Sequence, residues 1–219
     1  MTTPIKLDQS TECLKPPFVA FAADCLAEPA VRRYLYQLQV THNLSINVLL
    51  YSIWAALIEQ RRLRYLDISR LETAIQIWRQ HIIQRLVKLV QRLKTYALTA
   101  PPHCRTMILD VQGWVEVEIR EANQVEQVLL VTALGLNGSL KKQLRSKEQC
   151  LKDLCHNIVQ YYKFKQLSLN DSSAKELTEL LALLTVDYST REIWENLEQS
   201  VWQLGLSKRH SQRLPLDDC

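Results

Sequence analysis

Three observations predict an all-α protein. Only 4 of the 219 residues are Gly, whereas sheets joined by tight turns usually need more. Leu, Gln, Glu, Lys and Arg dominate the chain, and all of them form helices well. Several long stretches carry apolar residues three and four positions apart, as one face of a helix requires. We therefore expect a single helical bundle of about seven to eight helices.

The bundle is expected to form around one buried central helix, residues 44–58. This run, LSINVLLYSIWAALI, is apolar on every side and contains no Gly or Pro. Ser45 can cap its start, because a serine oxygen accepts from the first free N–H groups of a helix. A helix that is apolar all round is either a core helix or a membrane span. A span needs roughly 20 apolar residues, so this shorter run predicts a core helix.

Two shorter helices precede it. The first is expected from Phe18 to Ala27, ending at Glu28 because the residue before a proline disfavours helix. Pro29 then begins the second helix, which is expected to run to about residue 41. The predicted apolar stripe of the second helix is Val31, Leu35, Leu38 and Val40.

A long antiparallel helix pair is expected next, at residues 69–98 and 106–136. The first member has the clearest amphipathic spacing in the chain, with Asp67 or Ser69 as its cap and Pro101 at its end. Its predicted apolar stripe is Leu71, Ile75, Trp78, Ile82, Leu86, Leu89, Leu93 and Tyr96.

The second long segment is ambiguous, because residues 113–120 alternate apolar and charged side chains as a strand does. Helical spacing continues on both sides and no hairpin turn follows, so we predict a helix that closes at 135–138. Three further helices are predicted from their capping residues. They are Ser146 to about Gln166, 175–186 after Ser173, and 191–204 after Ser189 or Thr190.

One helical domain, residues 18–204, is expected between two polar ends. Residues 1–17 are predicted to form a flexible arm and 205–219 a flexible basic tail. The net charge of +4 is too small for a dedicated nucleic-acid binder. The 6 Cys form no C-x2-C pair, which favours reduced thiols in the cytoplasm. No signal peptide, metal site or cofactor is predicted.

The most suggestive surface lies on the first long helix. His81, Arg85, Lys88 and Arg92 recur at spacings of four, three and four and therefore form one basic stripe. Such a stripe can contact phosphates or an acidic partner. It can also be an ordinary solvated face opposite the core, and the sequence leaves both interpretations open.

A candidate pocket is predicted on the central helix, where Asn47, Tyr51 and Trp54 share one face. The three side chains could line a small-ligand site. Alternatively, Asn47 could bond a neighbouring helix end and fix the packing register, because a buried amide needs partners. The other tryptophans, Trp78, Trp114, Trp194 and Trp202, lie at or beside apolar stripes and are expected in the core.

A set of residues in the first half of the chain forms a familiar pattern. Its members are Phe18, Phe21-Ala22, Pro29, Val31, Leu38-Gln39, Asn47 to Leu50, Trp54, Trp78-Arg79 and Arg92-Leu93-Lys94. This pattern resembles a bacterial family of unassigned role, domain of unknown function 2390. The resemblance is best from Phe18 to Lys94 and continues through 115–130 and 180–184. It implies a helical cytoplasmic protein of proteobacterial type and brings no activity.

Three functional hypotheses remain. The chain has no nucleophile–base motif, Gly-rich phosphate loop or dinucleotide fingerprint, which favours a non-catalytic adaptor or regulator that binds a protein partner. The alternatives are RNA or ribosome association through the basic stripe, and a small-ligand or enzymatic pocket beside the central helix.

Overall fold

The computed structural model describes residues 16–135, 145–185 and 187–206, and all regular structure in them is helical. The all-α prediction is confirmed. The predicted end segments, apart from 16–17 and 205–206, and residues 136–138 lie outside the described residues. In chain order the elements are α1 Pro17–Ala27, α2 Pro29–His42, α3 Ile46–Leu57, α4 Tyr65–Trp78, a π-helical turn Arg79–Ile83, α5 Gln84–Thr99, α6 Pro102–Ala133, α7 Lys147–Phe164, α8 Asp171–Leu184 and α9 Thr190–Leu204.

The described residues group into two compact units. The first holds α1, α4 from Ser69 onward, the π-helical turn, α5 and α6. The second holds α2, α3, the first turn of α4, α7, α8 and α9. The prediction of one domain over 18–204 stays a prediction.

Helix α3 is the buried centre of the second unit, as its all-round apolar sequence predicted. Every residue from Asn47 to Ala56 is buried. Ser45 is the N-cap, and its Oγ accepts from the Val48 N–H at 3.3 Å. Helix α7 packs on α3, α9 packs on α7, and α8 packs on α9. Val40 at the end of α2 is 85 % exposed, so only the first three residues of that predicted stripe are correct.

The predicted caps are partly correct. Ser146 caps α7 and Ser189 caps α9 in a capping box with Glu192. Gly205 ends α9 in the left-handed region, at φ +69°, which Gly adopts without strain. Ser173 is not the cap of α8: the helix begins earlier because the Asn170 side chain accepts from the Ser173 N–H at 2.9 Å.

The long helix pair is confirmed in the first unit. Helix α4, the π-helical turn and α5 run continuously from residue 65 to 99, and α6 returns antiparallel after Ala100 and Pro101. Residues 113–120 are helical throughout. The start differs from the prediction, because Asp67 lies inside α4 and its carboxylate reaches back to the Arg64 N–H at 2.9 Å.

The π-helical turn changes part of the predicted stripe. Leu71 and Ile75 are buried as expected, and Leu86 and Leu93 face inward as expected. Ile82, Leu89 and Tyr96 are instead 37 %, 41 % and 63 % exposed, and the residue after each of them, Ile83, Val90 and Ala97, faces inward. A π turn takes one residue more than an α turn, which rotates the side chains after it around the helix.

Candidate interaction surface

The end of the helix pair that includes the turn at Ala100 and Pro101 has few buried residues. We call this end the distal hairpin, and it consists of α5 together with residues 102–121 of α6. In α5 only Val90 and Ala97 are buried, and α6 has no buried residue before Ala122. The two helices meet along a half-buried seam, which in α6 consists of Cys104, Ile108, Gln112, Val115 and Ile119. Two helices joined by one seam leave their remaining faces to solvent.

The two faces beside this seam differ in aromatic content and in charge pairing. One carries the ion pair between Lys94 Nζ and Glu116 Oε1, which are 3.8 Å apart, with the exposed aliphatic side chains of Val87, Leu98 and Leu109 beside it. Helical spacing puts a set of apolar side chains on the opposite side of the seam from this pair. We call this set the apolar face: Leu89, Tyr96, Met107, Val111 and Trp114.

None of the described helices covers the apolar face. Trp114, Met107 and Tyr96 are 70 %, 69 % and 63 % exposed, and the smaller Leu89 and Val111 are also exposed. The expectation that Trp114 lies in the core is wrong, because no helix of the described structure packs over this side of α6. Trp202 on α9 is 77 % exposed and was wrongly expected in the core as well.

The predicted basic stripe lies along the outer edge of this face. His81, Arg85, Lys88 and Arg92 are all exposed, and none of them forms an ion pair with another described residue. Helix α5 carries no acidic residue. The α6 side of the face is acidic: exposed Glu118 lies four residues after Trp114 on the same face of the helix, and exposed Asp110 and Glu121 lie at its outer edge. Whether the stripe contacts an anionic partner stays a prediction.

The candidate pocket residues lie elsewhere, in the second unit. Asn47, Tyr51 and Trp54 are 4 %, 0 % and 3 % exposed, and the Tyr51 and Trp54 rings pack at 5.5 Å between centroids. Burial in a low-polarity environment raises the pKa of the Tyr51 phenol. These side chains occupy the interior themselves, and the ligand-site prediction stays a prediction.

A cleft of about 430 Å³ opens in the second unit beside Gln60 and Cys150. Its two cations are already engaged: Arg145 pairs with Asp153, and Lys147 Nζ lies 3.2 Å from Asp187 Oδ1. The cleft therefore offers no uncompensated positive charge to an anionic ligand. Within the described ranges, no three His, Cys, Asp or Glu side chains are grouped to hold a metal ion.

A buried amide that the sequence analysis missed holds the loop between α3 and α4. Asn157 on α7 is fully buried and its Oδ1 accepts from the Leu63 N–H at 2.7 Å. Its Nδ2 donates to the carbonyls of Ser52 and Arg61 at 3.1 and 3.0 Å. One turn further, the Tyr161 hydroxyl accepts from the Ser45 N–H at 2.8 Å. Helix α7 thus binds the backbone at both ends of α3.

The neighbouring His156 is neutral in the folded chain. Its Nδ1 lies 2.8 Å from Arg62 Nη2, and a guanidinium can only donate, so Nδ1 accepts and the ring proton is on Nε2. Burial, followed by the positive charge of Arg62, lowers the pKa of His156 to about 4. Arg62 is therefore bound within the second unit.

We expect this histidine to make the fold sensitive to acid. The unfolded chain takes up the His156 proton near pH 6.5 and the folded chain only near pH 4, so its contribution is present above 6.5 and is lost as pH falls toward 4. Urea unfolding should show the wild type losing about 1–2 kcal/mol more between pH 7 and 5 than His156→Asn, whose amide oxygen takes the place of Nδ1 as the acceptor for Arg62. His81→Asn, on an exposed side chain, should follow the wild type. Identical pH profiles for wild type and His156→Asn would contradict the assignment.

The π-helical turn carries a second missed cluster. Arg79 makes two bonds to the buried Glu126, Nη2 to Oε1 at 2.8 Å and Nε to Oε2 at 3.2 Å. Its Nη1 also lies 3.4 Å from Glu72 Oε2. The adjacent Trp78 indole donates to the Ala122 carbonyl at 2.9 Å. Trp78-Arg79, part of the family resemblance, is thus a packing and ion-pair element in the first unit.

No described helix has the length and apolar character that crossing a membrane requires.

One family model matches part of the chain. Neither the curated proteins nor the solved structures contain a match to this chain. Residues 18–118, just under half of the chain, match the model of the family described as Protein of unknown function (DUF2390), as the resemblance predicted.

Proposed function

We propose that the chain is a non-catalytic helical interaction protein, an adaptor or regulator, and that it binds a partner protein through the apolar face of the distal hairpin. The observation that carries the proposal is the exposure of Trp114, Met107 and Tyr96 on one side of two packed helices. The bacterial cytoplasm is the proposed compartment, from the family resemblance and the cysteine pattern of the sequence.

The composition of this face supports a protein partner. Aromatic residues, Met and Arg are enriched where proteins bind one another, and Trp, Tyr and Arg supply most binding hot spots. All of these types occur together here, as Trp114, Tyr96, Met107 and the two arginines Arg85 and Arg92. Monomeric proteins rarely leave a contiguous apolar patch of this kind in water without a use for it.

The two exposed tryptophans provide a matched test. In a pull-down from nuclease-treated native lysate, Trp114→Glu should reduce the captured protein partner by about tenfold or more, because a charge would be buried against an apolar surface. Trp202→Glu, at an equally exposed position on α9, should capture as much as the wild type. Equal capture by all three proteins would refute the proposal. Circular dichroism should show the same helicity for all three.

The second candidate function is RNA or ribosome association through the basic stripe. It is favoured by the exposure of all four stripe residues without an ion pair to any other described residue. Binding of this kind weakens steeply with salt, because bound counterions are released from the phosphates. Arg85→Glu, Lys88→Glu and Arg92→Glu together should then abolish RNA retention on the tagged chain. Retention that survives in salt at about 0.5 M would rule this function out.

A further inference from the structure

We infer that the partner on the apolar face is a second copy of this chain, with α5 of each copy lying against α6 of the other. The inference rests on the proposed function, since it uses the same face, and it names the occupant. It follows from the distribution of charge along the two edges of that face.

The two edges carry opposite charge. The α5 edge has Arg85, Lys88 and Arg92 and no carboxylate, and the α6 edge has Asp110, Glu118 and Glu121. All six side chains are exposed. A face that is basic along one edge, apolar in the middle and acidic along the other edge is complementary to its own copy.

Charge also selects the arrangement of the two copies. If the hairpins met with α5 on α5, the cations of both copies would face one another, and like charges at an interface are unfavourable. A two-fold axis parallel to the helices instead places α5 over the partner's α6 and leaves apolar side chains in the centre. Four antiparallel helices packed in this way form a four-helix bundle.

The levels of the charges along the hairpin agree with this arrangement. Within one copy, Lys94 lies six residues before Ala100 and pairs with Glu116, which lies fifteen after Pro101. Side chains lean toward the N-terminus of their own helix, so a cation of α5 meets a carboxylate of α6 that is farther from the turn. A two-fold axis along the helices preserves height. It therefore brings Arg92, eight residues before the turn, to the level of the partner's Glu118, seventeen after it, and Lys88, twelve before, to the level of the partner's Glu121, twenty after.

The size of the face is adequate for a dimer. Helix α5 has 16 residues, so it is about 24 Å long, and two adjacent helices are about 20 Å wide. The flat projection of this face is therefore about 500 Å² per copy, and the uneven side-chain surface adds to it. Two copies together would bury about 1,000 Å², which is the lower end of the range for specific interfaces.

The test uses charge reversal and rescue in trans with the full chain. Arg85→Glu/Arg92→Glu makes both edges acidic, and Asp110→Lys/Glu118→Lys makes both edges basic, so each variant alone should be monomeric. A mixture of the two restores opposite charges at both contacts and should form a dimer. Sedimentation velocity at about 10–100 µM, a concentration range suited to moderate affinities, should show this result and a dimeric wild type.

Controls separate this inference from the proposed function. Trp114→Glu should raise the dimer dissociation constant at least about tenfold, whereas Trp202→Glu should leave it unchanged. A monomeric wild type, or a mixture that stays monomeric, would overturn the inference. If the wild type is monomeric but Trp114→Glu still loses a different protein partner in the pull-down, the proposed function stands and only the second copy is refuted. If neither dimer nor partner depends on Trp114, both fail.

Discussion

Replacing Asn157 with Leu should destabilise the second unit by at least about 3 kcal/mol. The substitution removes three hydrogen bonds, two of them fully buried, and leaves the Leu63 N–H and the Arg61 carbonyl without this partner. Each buried backbone group left without a hydrogen bond destabilises the fold by about 1–3 kcal/mol. Burial of the Leu side chain does not offset this loss. Urea unfolding followed by circular dichroism measures the change.

A conservative variant distinguishes hydrogen bonding from volume. Asn157→Asp keeps the acceptor for Leu63 but turns a carboxylate oxygen toward the two carbonyls, so it should be at least as damaging as Asn157→Leu. The matched control is Asn196→Ala on α9, whose amide donates to Glu192 in a solvent-exposed bond and should cost less than about 0.5 kcal/mol. A loss below about 1 kcal/mol for Asn157→Leu would show that the amide does not hold the loop.

Replacing Arg79 with Met should destabilise the first unit by about 3–5 kcal/mol. Glu126 is 2 % exposed, and the substitution takes away the cation that makes two bonds to its carboxylate. Removing one member of a buried ion pair leaves a charge in a low-dielectric environment, which is the main origin of the cost. Thermal and urea unfolding should both report it.

A double variant and an exposed ion pair test whether the buried charge causes the loss of stability. In Arg79→Met/Glu126→Met the more deeply buried of the two carboxylates that Arg79 contacts is also removed and only Glu72, whose side chain is 13 % exposed, remains, so more than half of the lost stability should return. Lys94→Met breaks a pair whose side chains are 60 % and 42 % exposed and should change stability by less than about 0.5 kcal/mol. If the double variant is as unstable as Arg79→Met, packing around the π-helical turn, and not the isolated charge, sets the cost.

The fold class and most helix positions could be predicted because they depend on local sequence. The run from 44 to 58 is apolar on every side and forms α3, and Ser146 and Ser189 cap helices where the following residues are helix formers. The antiparallel partner of the long helix was predictable from its spacing and from the prolines between the two segments. Each of these features depends only on residues that lie within one or two helical turns in the sequence.

The π-helical turn could not be predicted in this way. Its five residues, RQHII, contain no Gly or Pro, and their spacing is compatible with an unbroken α-helix. The turn is accompanied by tertiary bonds from Trp78 and Arg79 to α6, which lies more than forty residues later. Since neither the turn nor those contacts is visible in the spacing of apolar residues, the pattern predicted that Leu89 and Tyr96 face inward, whereas Val90 and Ala97 do.

The candidate surface was predicted only in part. The basic stripe was found because charge at helical spacing is visible in one segment. Trp114 was expected in the core because an apolar stripe does not reveal whether another element covers it, and here none of the described helices does. Asn157 gave a weak signal, four residues before Tyr161 on α7, but its partners are about one hundred residues away in the sequence.

The most direct test of the central claim is photo-crosslinking in living cells, with a benzophenone amino acid in place of Trp114 or, as the control, of Trp202. The two positions are equally exposed, so they differ only in whether the surrounding surface binds a protein. We expect a discrete adduct at position 114 that is absent at 202, with the mass of two chains if the occupant is a second copy. No adduct at 114, or the same adducts at both positions, would contradict the claim that the distal hairpin is an interaction surface.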